Sequence, residues 1–367
     1  MLENQIKSQE ILIDDHEKTV RIEPEQMAQM AGLRYVNDDE PGFRRKPWGR
    51  GFTYLHPNGE HIQEAELRSR LEALVIPPAW TDVWICLDPN GHIQATGRDA
   101  QGRKQYIYHA DWGAVRNQVK FSRIVSFAES LPDLRMRVDQ DLRLRNLSRE
   151  KVVAIVVRLL EETLIRIGNL EYARNNGSFG LTTLHDEHLK VSGSTLYFEF
   201  NGKSGKQHEI AVQDRRLAAM VKRCQDLPGQ HLFQYLDGEG NCCQAITSGD
   251  VNEYLRRVTG KDFTAKDFRT WGGTLYAAIE LFRLGPAASE RDAQHKIVQA
   301  VKQVAKILGN TTTICRQYYI HPAVFEAFQD ESLFPTMQSA LDGRLPAPDG
   351  LEPEEAAAIE LLRQKTS

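Results

Sequence analysis

Gly309-Asn310-Thr311-Thr312-Thr313-Ile314-Cys315-Arg316-Gln317-Tyr318-Tyr319-Ile320-His321-Pro322 is the segment around which the rest of this chain makes sense. Gly309 stops one helix, and the threonines after Asn310 offer the N-cap of another. The new helix carries Tyr319 near its end, and Pro322 just beyond closes it. Taken alone, a tyrosine at helical spacing with Ile314 and Tyr318 is a core residue. Its meaning depends on what the other segments bring to it.

The chain has 367 residues, enough for two or three domains that each bury a core. With 41% hydrophobic and 26% charged residues it is of the ordinary globular class, neither disordered nor fibrous. Met1 to Asp15 is mixed and polar, so no signal segment is expected. The most apolar run, Val152 to Leu160, is interrupted by Arg158 and followed by Glu161 and Glu162, which argues against a membrane span. The cysteines (86, 224, 242, 243 and 315) are odd in number and lack a C-x-x-C spacing. They read as reduced thiols of a cytoplasmic protein, without disulfides or a zinc site.

Charge is segregated. Residues 1–40 carry ten acids against four bases and residues 326–367 nine against three, so the middle is basic although the net charge is −4. A basic body with acidic ends fits a nucleic-acid binder, and equally a solvated charged surface.

Residues 1–24 read as an acidic arm in which Ile11-Leu12-Ile13 could add an edge strand. Residues 25–112 alternate as short strands and turns: Phe52 to Leu55, Val83 to Leu87, Ile93 to Thr96 and Arg103 to Tyr108, with a helix over Glu64 to Leu74. Basic and aromatic residues mix from Arg44 to Tyr54. Residues 113–345 are mainly helical, with helices over 115–131, 148–174, 214–226, 249–259, 265–284 and 290–308. Asp214, Ser248 and Thr264 are their expected N-caps where polar caps are evident. Thr195 to Phe200 and Gln207 to Val212 form a hairpin around Asn201-Gly-Lys-Ser-Gly-Lys206. Arg135, Arg137, Arg143, Arg145 and Arg149 crowd one short stretch. Residues 346–367 read as a Pro-rich linker and an acidic tail.

Commoner chemistries fail on spacing. Lys203-Ser204-Gly205-Lys206 lacks the upstream glycine of a phosphate loop, and Gln207 stands where the metal-binding hydroxyl belongs. His185-Asp186-Glu187-His188 lacks the spacing of a helical zinc site. No dinucleotide fingerprint and no nucleophile elbow occurs. Two arginines stand out instead. Arg166 lies in the apolar run Leu164-Ile165-Arg166-Ile167-Gly168, read as one face of the 148–174 helix, and its permanent charge needs an anion. Arg269 sits early in a capped helix, where N–H groups already favour anions. Either could simply close an internal salt bridge, and Lys203 could be a solvated turn lysine.

Seven segments in order change that balance. They are Ile-Pro-Pro-Ala-Trp (76–80), Gly-Arg-Lys-Gln-Tyr-Ile-Tyr (102–108), Ile-Arg-Ile-Gly-Asn-Leu-Glu-Tyr (165–172), Gly-Leu-Thr-Thr-Leu (180–184), the Lys203 hairpin, Lys-Asp-Phe-Arg-Thr-Trp (266–271) and the Tyr319 segment. From about Val75 to Phe328 the chain resembles the type IB DNA topoisomerases of the short bacterial and poxvirus kind. The resemblance implies an α+β fold, a two-domain clamp of a small antiparallel β domain and a mainly α catalytic domain with a small sheet.

It also implies the chemistry: relaxation of supercoiled duplex DNA through a covalent 3′-phosphotyrosine, with no metal, nucleotide or other cofactor, by a cytoplasmic, nucleoid-associated monomer. Tyr319 matches the nucleophile, Arg166 and Arg269 the catalytic arginines, and Lys203 the hairpin lysine. Asn310 falls where the poxvirus enzymes have histidine, as it does in some bacterial members, and it can donate a hydrogen bond without titrating. Tyr318 is the neighbouring rival for the nucleophile. Arg103, Lys104, Gln105, Tyr106 and Tyr108 are the expected DNA contacts of the β domain, with Gln105 and Tyr106 toward base edges, and Tyr172 a further phosphate contact. A tyrosine recombinase would share the chemistry but expects a histidine at Lys266. A catalytically silent DNA-binding protein is the other alternative.

Overall fold

A computed structural model describes residues 23–236 and 243–366. The acidic arm, including Ile11 to Ile13, lies almost wholly outside the described residues. The chain divides into two compact units, one ending at Ser122 and the other running from Arg123 onward.

The N-terminal unit is built on an antiparallel sheet of β1 (Gly42–Trp48), β2 (Gly51–Leu55), β3 (Thr81–Cys86), β4 (Ile93–Arg98) and β5 (Lys104–Tyr108), in the order β2-β1-β3-β4-β5. Helix α1 is Pro24–Met30, α2 is Ala65–Ala73 and α3 is Ala110–Ser122. Period-2 alternation sends Phe43, Val83, Ile85 and Ala95 to one face, where they bury with Tyr54, Ile62, Leu71 and Ile76. Arg45 lies on that face too. Its guanidinium donates to the carbonyls of Ile76 (2.7 Å), Pro77 and Trp80 (both 2.9 Å) and stacks on Phe52. The Ile-Pro-Pro-Ala-Trp segment is thus a loop whose free carbonyls are satisfied by one buried cation. On the other face, Arg44, Trp84, Thr96 and Tyr106 stand in cross-strand register.

The C-terminal unit is mainly helical. It comprises α4 (Ile124–Glu129), α5 (Leu131–Leu142), α6 (Arg149–Thr163), α7 (Leu170–Asn176), α8 (Arg215–Gln225), α9 (Ser248–Thr259), α10 (Ala265–Leu284), α11 (Glu290–Leu308), α12 (Thr312–Tyr318), α13 (Pro322–Gln329), α14 (Leu333–Leu341) and α15 (Pro353–Thr366). Strands β6 (Leu189–Ser192), β7 (Thr195–Asn201) and β8 (Gln207–Gln213) form a three-stranded antiparallel sheet, and β9 (Gln234–Leu236) pairs with β10 (Cys243–Ala245). Every residue from Val152 to Val157 is buried, so α6 is a central core helix and needs no polar face. An N-terminal antiparallel sheet followed by a helical part with a small sheet is the expected fold class.

Four expectations are corrected. The single helix over 148–174 ends at Thr163; Leu164 takes a left-handed conformation (φ 53°) and the chain runs extended until α7. That extended stretch pairs with the segment after Gly180: Leu181 N–H donates to Arg166 (2.9 Å) and Thr182 N–H to Ile167 (2.8 Å). Residues 115–131 likewise divide between α3, α4 and the start of α5, and the N-cap of α9 is Thr247 rather than Ser248. The acidic C-terminal tail is part of the helical core, because α15 buries Ala357, Ala358, Leu361 and Leu362 there. Its Glu355 is buried and pairs with Arg135 (2.8 Å), while Trp271 Nε1 donates to it at 3.3 Å.

The arginine-rich stretch is largely absorbed in the same way. Arg137 pairs with Asp141 and Arg149 with Asp250 and Glu253, so much of the local positive charge is spent inside the protein.

Candidate active site

The C-terminal unit brings Tyr319, Arg269, Arg166 and Asn310 together, and α10 is the element that organises them. Tyr319 is the C-cap of α12, its N–H donating to Cys315 (3.0 Å). A Cβ on Gly273 would lie 2.5 Å from the Tyr319 carbonyl oxygen, and one on Gly272 would lie 2.5 Å from Leu164 Cδ1. Two consecutive glycines on α10 therefore admit both the tyrosine segment and the turn before Arg166 into backbone contact. Thr274 continues the clamp, accepting from the His321 N–H at 3.1 Å.

Arg269 lies one turn from the start of α10, where Thr264 and Asp267 close a capping box. It is 4% exposed. Its Nη1 donates to the Leu164 carbonyl and its Nη2 to the Leu308 carbonyl (2.7 Å), which locks the guanidinium between the ends of α6 and α11. The guanidinium carbon sits 5.1 Å from the Tyr319 ring centre. Its Nε is buried without a hydrogen-bond partner among the described residues. Arg166, half-buried on the extended segment, donates through Nη2 to Asn310 Oδ1, and the buried Asn310 Nδ2 has no partner among the described residues.

Among the described residues neither arginine meets a carboxylate. The internal salt bridge that would have made them structural is not there. Burial pushes the Arg269 guanidinium down to about 10, helped by the positive charge of Arg166. Burial likewise lowers Arg166. For Tyr319 burial raises the phenol, but the charges of Arg269, Arg166 and Lys266 outweigh it and the net shift is downward. Two crowded cations, a phenol drawn toward phenolate and an orphaned amide N–H form a pocket of donors suited to an anion.

Tyr318, the neighbouring tyrosine, is 37% exposed. Lys203 stands exposed at the tip of the β7–β8 hairpin, in a short 3-10 turn with Ser204 left-handed (φ 65°). Cys315 is buried below Tyr319, its thiol pushed up to about 11 by burial, and is chemically quiet.

The catalytic-core model of eukaryotic DNA topoisomerase I matches residues 109–339, and the N-terminal-domain model of bacterial DNA topoisomerase IB matches residues 51–99. DNA topoisomerase 1B of Acanthamoeba polyphaga mimivirus is 30% identical over 298 residues, covering 80% of this chain and 88% of that protein. DNA topoisomerase I of Monkeypox virus and DNA topoisomerase 1B of Vaccinia virus (strain Copenhagen) are each 22% identical over 307 residues, 82% of this chain and 86% of theirs. The chain belongs to the type IB DNA topoisomerase family. Its reaction is type IB relaxation of DNA, and the covalent exchange of a strand onto tyrosine is general to that family.

In this topoisomerase the sheet of the N-terminal unit sorts the expected DNA contacts by face. Lys104, Tyr106 and Tyr108 project from one side of β5, the two rings stacked at 5.8 Å. Arg116 lies 5.8 Å from the Tyr108 ring centre. Gln105 lies on the opposite side of the strand from Tyr106 and donates to Asp99 (2.9 Å), which also pairs with Arg103. Lys104 pairs with Asp38 at 2.7 Å. Gln105 and Tyr106 thus stand on opposite sides of β5. Tyr172, 55% exposed, is in the first turn of α7 rather than at the end of a helix carrying Arg166.

Sequence reasoning missed the carbonyls of Leu164 and Leu308, the Gly272-Gly273 pair and His208. The glycines carried a signal, since two in the middle of a helix mark a close approach. His208 carried none.

Proposed function

We propose that Tyr319 attacks a phosphorus of one DNA strand and that Arg166, Arg269, Asn310 and Lys203 support the exchange. An ordinary phenol, of pKa about 10, is a poor nucleophile at neutral pH, and the lowered Tyr319 answers that deficit. The guanidiniums and the free Asn310 amide N–H donate to the non-bridging oxygens as the phosphorus becomes five-coordinate. The bond from phosphorus to the Tyr319 oxygen forms, and the bond to the 5′ oxygen breaks. Lys203 gives that oxygen its proton, and the phenolic proton passes to solvent. The phosphotyrosine keeps the energy of the ester, so the reverse attack reseals the strand without ATP.

The observation that carries this reading is a buried and a half-buried guanidinium, Arg269 and Arg166, without acidic partners among the described residues, beside a tyrosine. Lys104, Tyr106, Tyr108 and Arg103 of the N-terminal unit and Tyr172 support contact with the duplex, chiefly with its backbone. One chain supplies all five reacting groups, which supports action as a monomer. The bacterial type of the N-terminal domain supports an enzyme of a bacterial cytoplasm that works at the nucleoid. Lys266 in place of a histidine favours this over recombination.

The test is relaxation of a supercoiled plasmid in EDTA without ATP. The wild type should relax it, and Tyr319→Phe should bind DNA yet leave it supercoiled. Intact supercoils with the wild type would leave only DNA binding.

A further inference from the structure

We propose that His208 is a positioning residue that seats the Lys203 hairpin on the Gly309–Asn310 turn and so fixes where the proton donor meets the leaving oxygen. The inference rests on Lys203 being that donor. His208 stands on β8 directly across from Phe200 on β7. Its ring lies flat on the Phe200 ring, with centroids 5.0 Å apart and planes 9° apart. The opposite edge fits between two glycines. A Cβ on Gly202 would lie 2.6 Å from His208 Cδ2 and Nε2, and a Cβ on Gly309 would lie 2.3 Å from Cε1 and 3.0 Å from Nε2. Gly202 immediately precedes Lys203, and Gly309 immediately precedes Asn310. One imidazole is therefore wedged between the segment that carries the lysine and the segment that carries the amide donor.

The wedge has mechanical value. Strand β8 is the outer strand of its sheet, so the hairpin tip has no pairing partner on that side. Lysine is a long, flexible side chain, and its reach is useful only if its Cα is held. His208 makes no hydrogen bond among the described residues, so contact and shape are what it contributes. Arg166, Arg269 and Lys206 surround it with positive charge, and the ring is neutral at working pH, so it adds no further cation.

The test uses DNA cleavage under single-turnover conditions, with either an ordinary 5′ oxygen or a bridging 5′ sulfur at the scissile phosphate. A thiolate, with a thiol pKa near 8.5, departs without being protonated. Lys203→Ala should slow cleavage of the oxygen duplex by about 10²–10⁴-fold. His208→Ala should slow it about 10–100-fold through misplacement of the donor. Both variants should approach the wild-type rate on the sulfur duplex, which also shows that the variant is folded. His208→Ala staying slow on sulfur while Lys203→Ala recovers would overturn the proposal. Lys203→Ala failing to recover would instead overturn its role as acid, and the role of His208 with it.

Discussion

Arg269 and Tyr319, 50 residues apart, lie with the guanidinium carbon 5.1 Å from the phenol ring centre, where Gly273 leaves room for the Tyr319 carbonyl. The contact is sequence-remote, buried and uncompensated by any carboxylate among the described residues. It has the character of a site prepared for an anion rather than of a stabilising pair, since a buried cation without its partner is costly.

Arg269→Lys should therefore separate chemistry from binding. A lysine keeps a charge but loses the fork that reaches Leu164 and Leu308 beside Tyr319. Single-turnover cleavage should fall roughly 10²–10³-fold, with duplex affinity measured by fluorescence anisotropy little changed. A parallel loss of affinity would place Arg269 in binding alone.

Gly273→Ala should invert the usual rule for helices. In an open helix the change stabilises by about 0.5–1 kcal/mol. Here the methyl would sit 2.5 Å from the Tyr319 carbonyl oxygen, so the tyrosine segment must move. Thermal melting should drop, and cleavage should slow by about 100-fold, the scale of a 1 Å misplacement. A raised melting temperature with full activity would show that Tyr319 needs no close seat on α10.

Glu355→Ala should be strongly destabilising although the residue lies in the last helix. Glu355 is buried, accepts from both terminal nitrogens of Arg135, and accepts from Trp271, which lies on α10 two residues after Arg269. Removing one partner of such a pair costs about 3–5 kcal/mol, to be read by urea denaturation. Burial alone would raise the Glu355 carboxyl, but Arg135 outweighs it and the net shift is downward. Its contribution is thus present above the ordinary glutamate pKa and is lost as pH falls through the lowered folded value.

His208 should make acid stability steeper. Its imidazole is pushed down to about 4 by burial, then by the charges of Arg166, Lys206 and Arg269. The unfolded chain takes up the proton first, near pH 6.5. The neutral ring's contribution is therefore complete above about 6.5 and is lost as pH drops toward 4. Between pH 7 and pH 4, His208→Gln should lose less stability than the wild type, by up to about 2 kcal/mol after allowing for partial exposure. Equal losses in the two proteins would place the ring in ordinary solvent.

How much of this was legible follows from whether the signal was local. Helices α10 and α11 were readable because caps and periodicity sit in the segments themselves, and the β7–β8 hairpin because its turn residues do. Arg166 stands out in the sequence as a charge among apolar residues, yet it was read onto the wrong element. Leu164 to Ile167 has helix-compatible spacing, and what ends the helix is a left-handed leucine held by packing on Gly272. The acidic C-terminal tail hid its place in the core because Glu352, Glu354, Glu355 and Glu360 punctuate its apolar residues. The buried partner of Glu355 is Arg135, 220 residues away. His208 acts only through two glycines that the fold carries to it, and no spacing in the chain encodes that meeting.

The most direct measurement is to trap the covalent complex on an oligonucleotide duplex, digest it with protease and sequence the peptide that carries DNA. The strand should be found attached through its 3′ phosphate to Tyr319, and Tyr319→Phe should yield no adduct. DNA on Tyr318 or any other side chain, or an adduct that survives in Tyr319→Phe, would contradict the account.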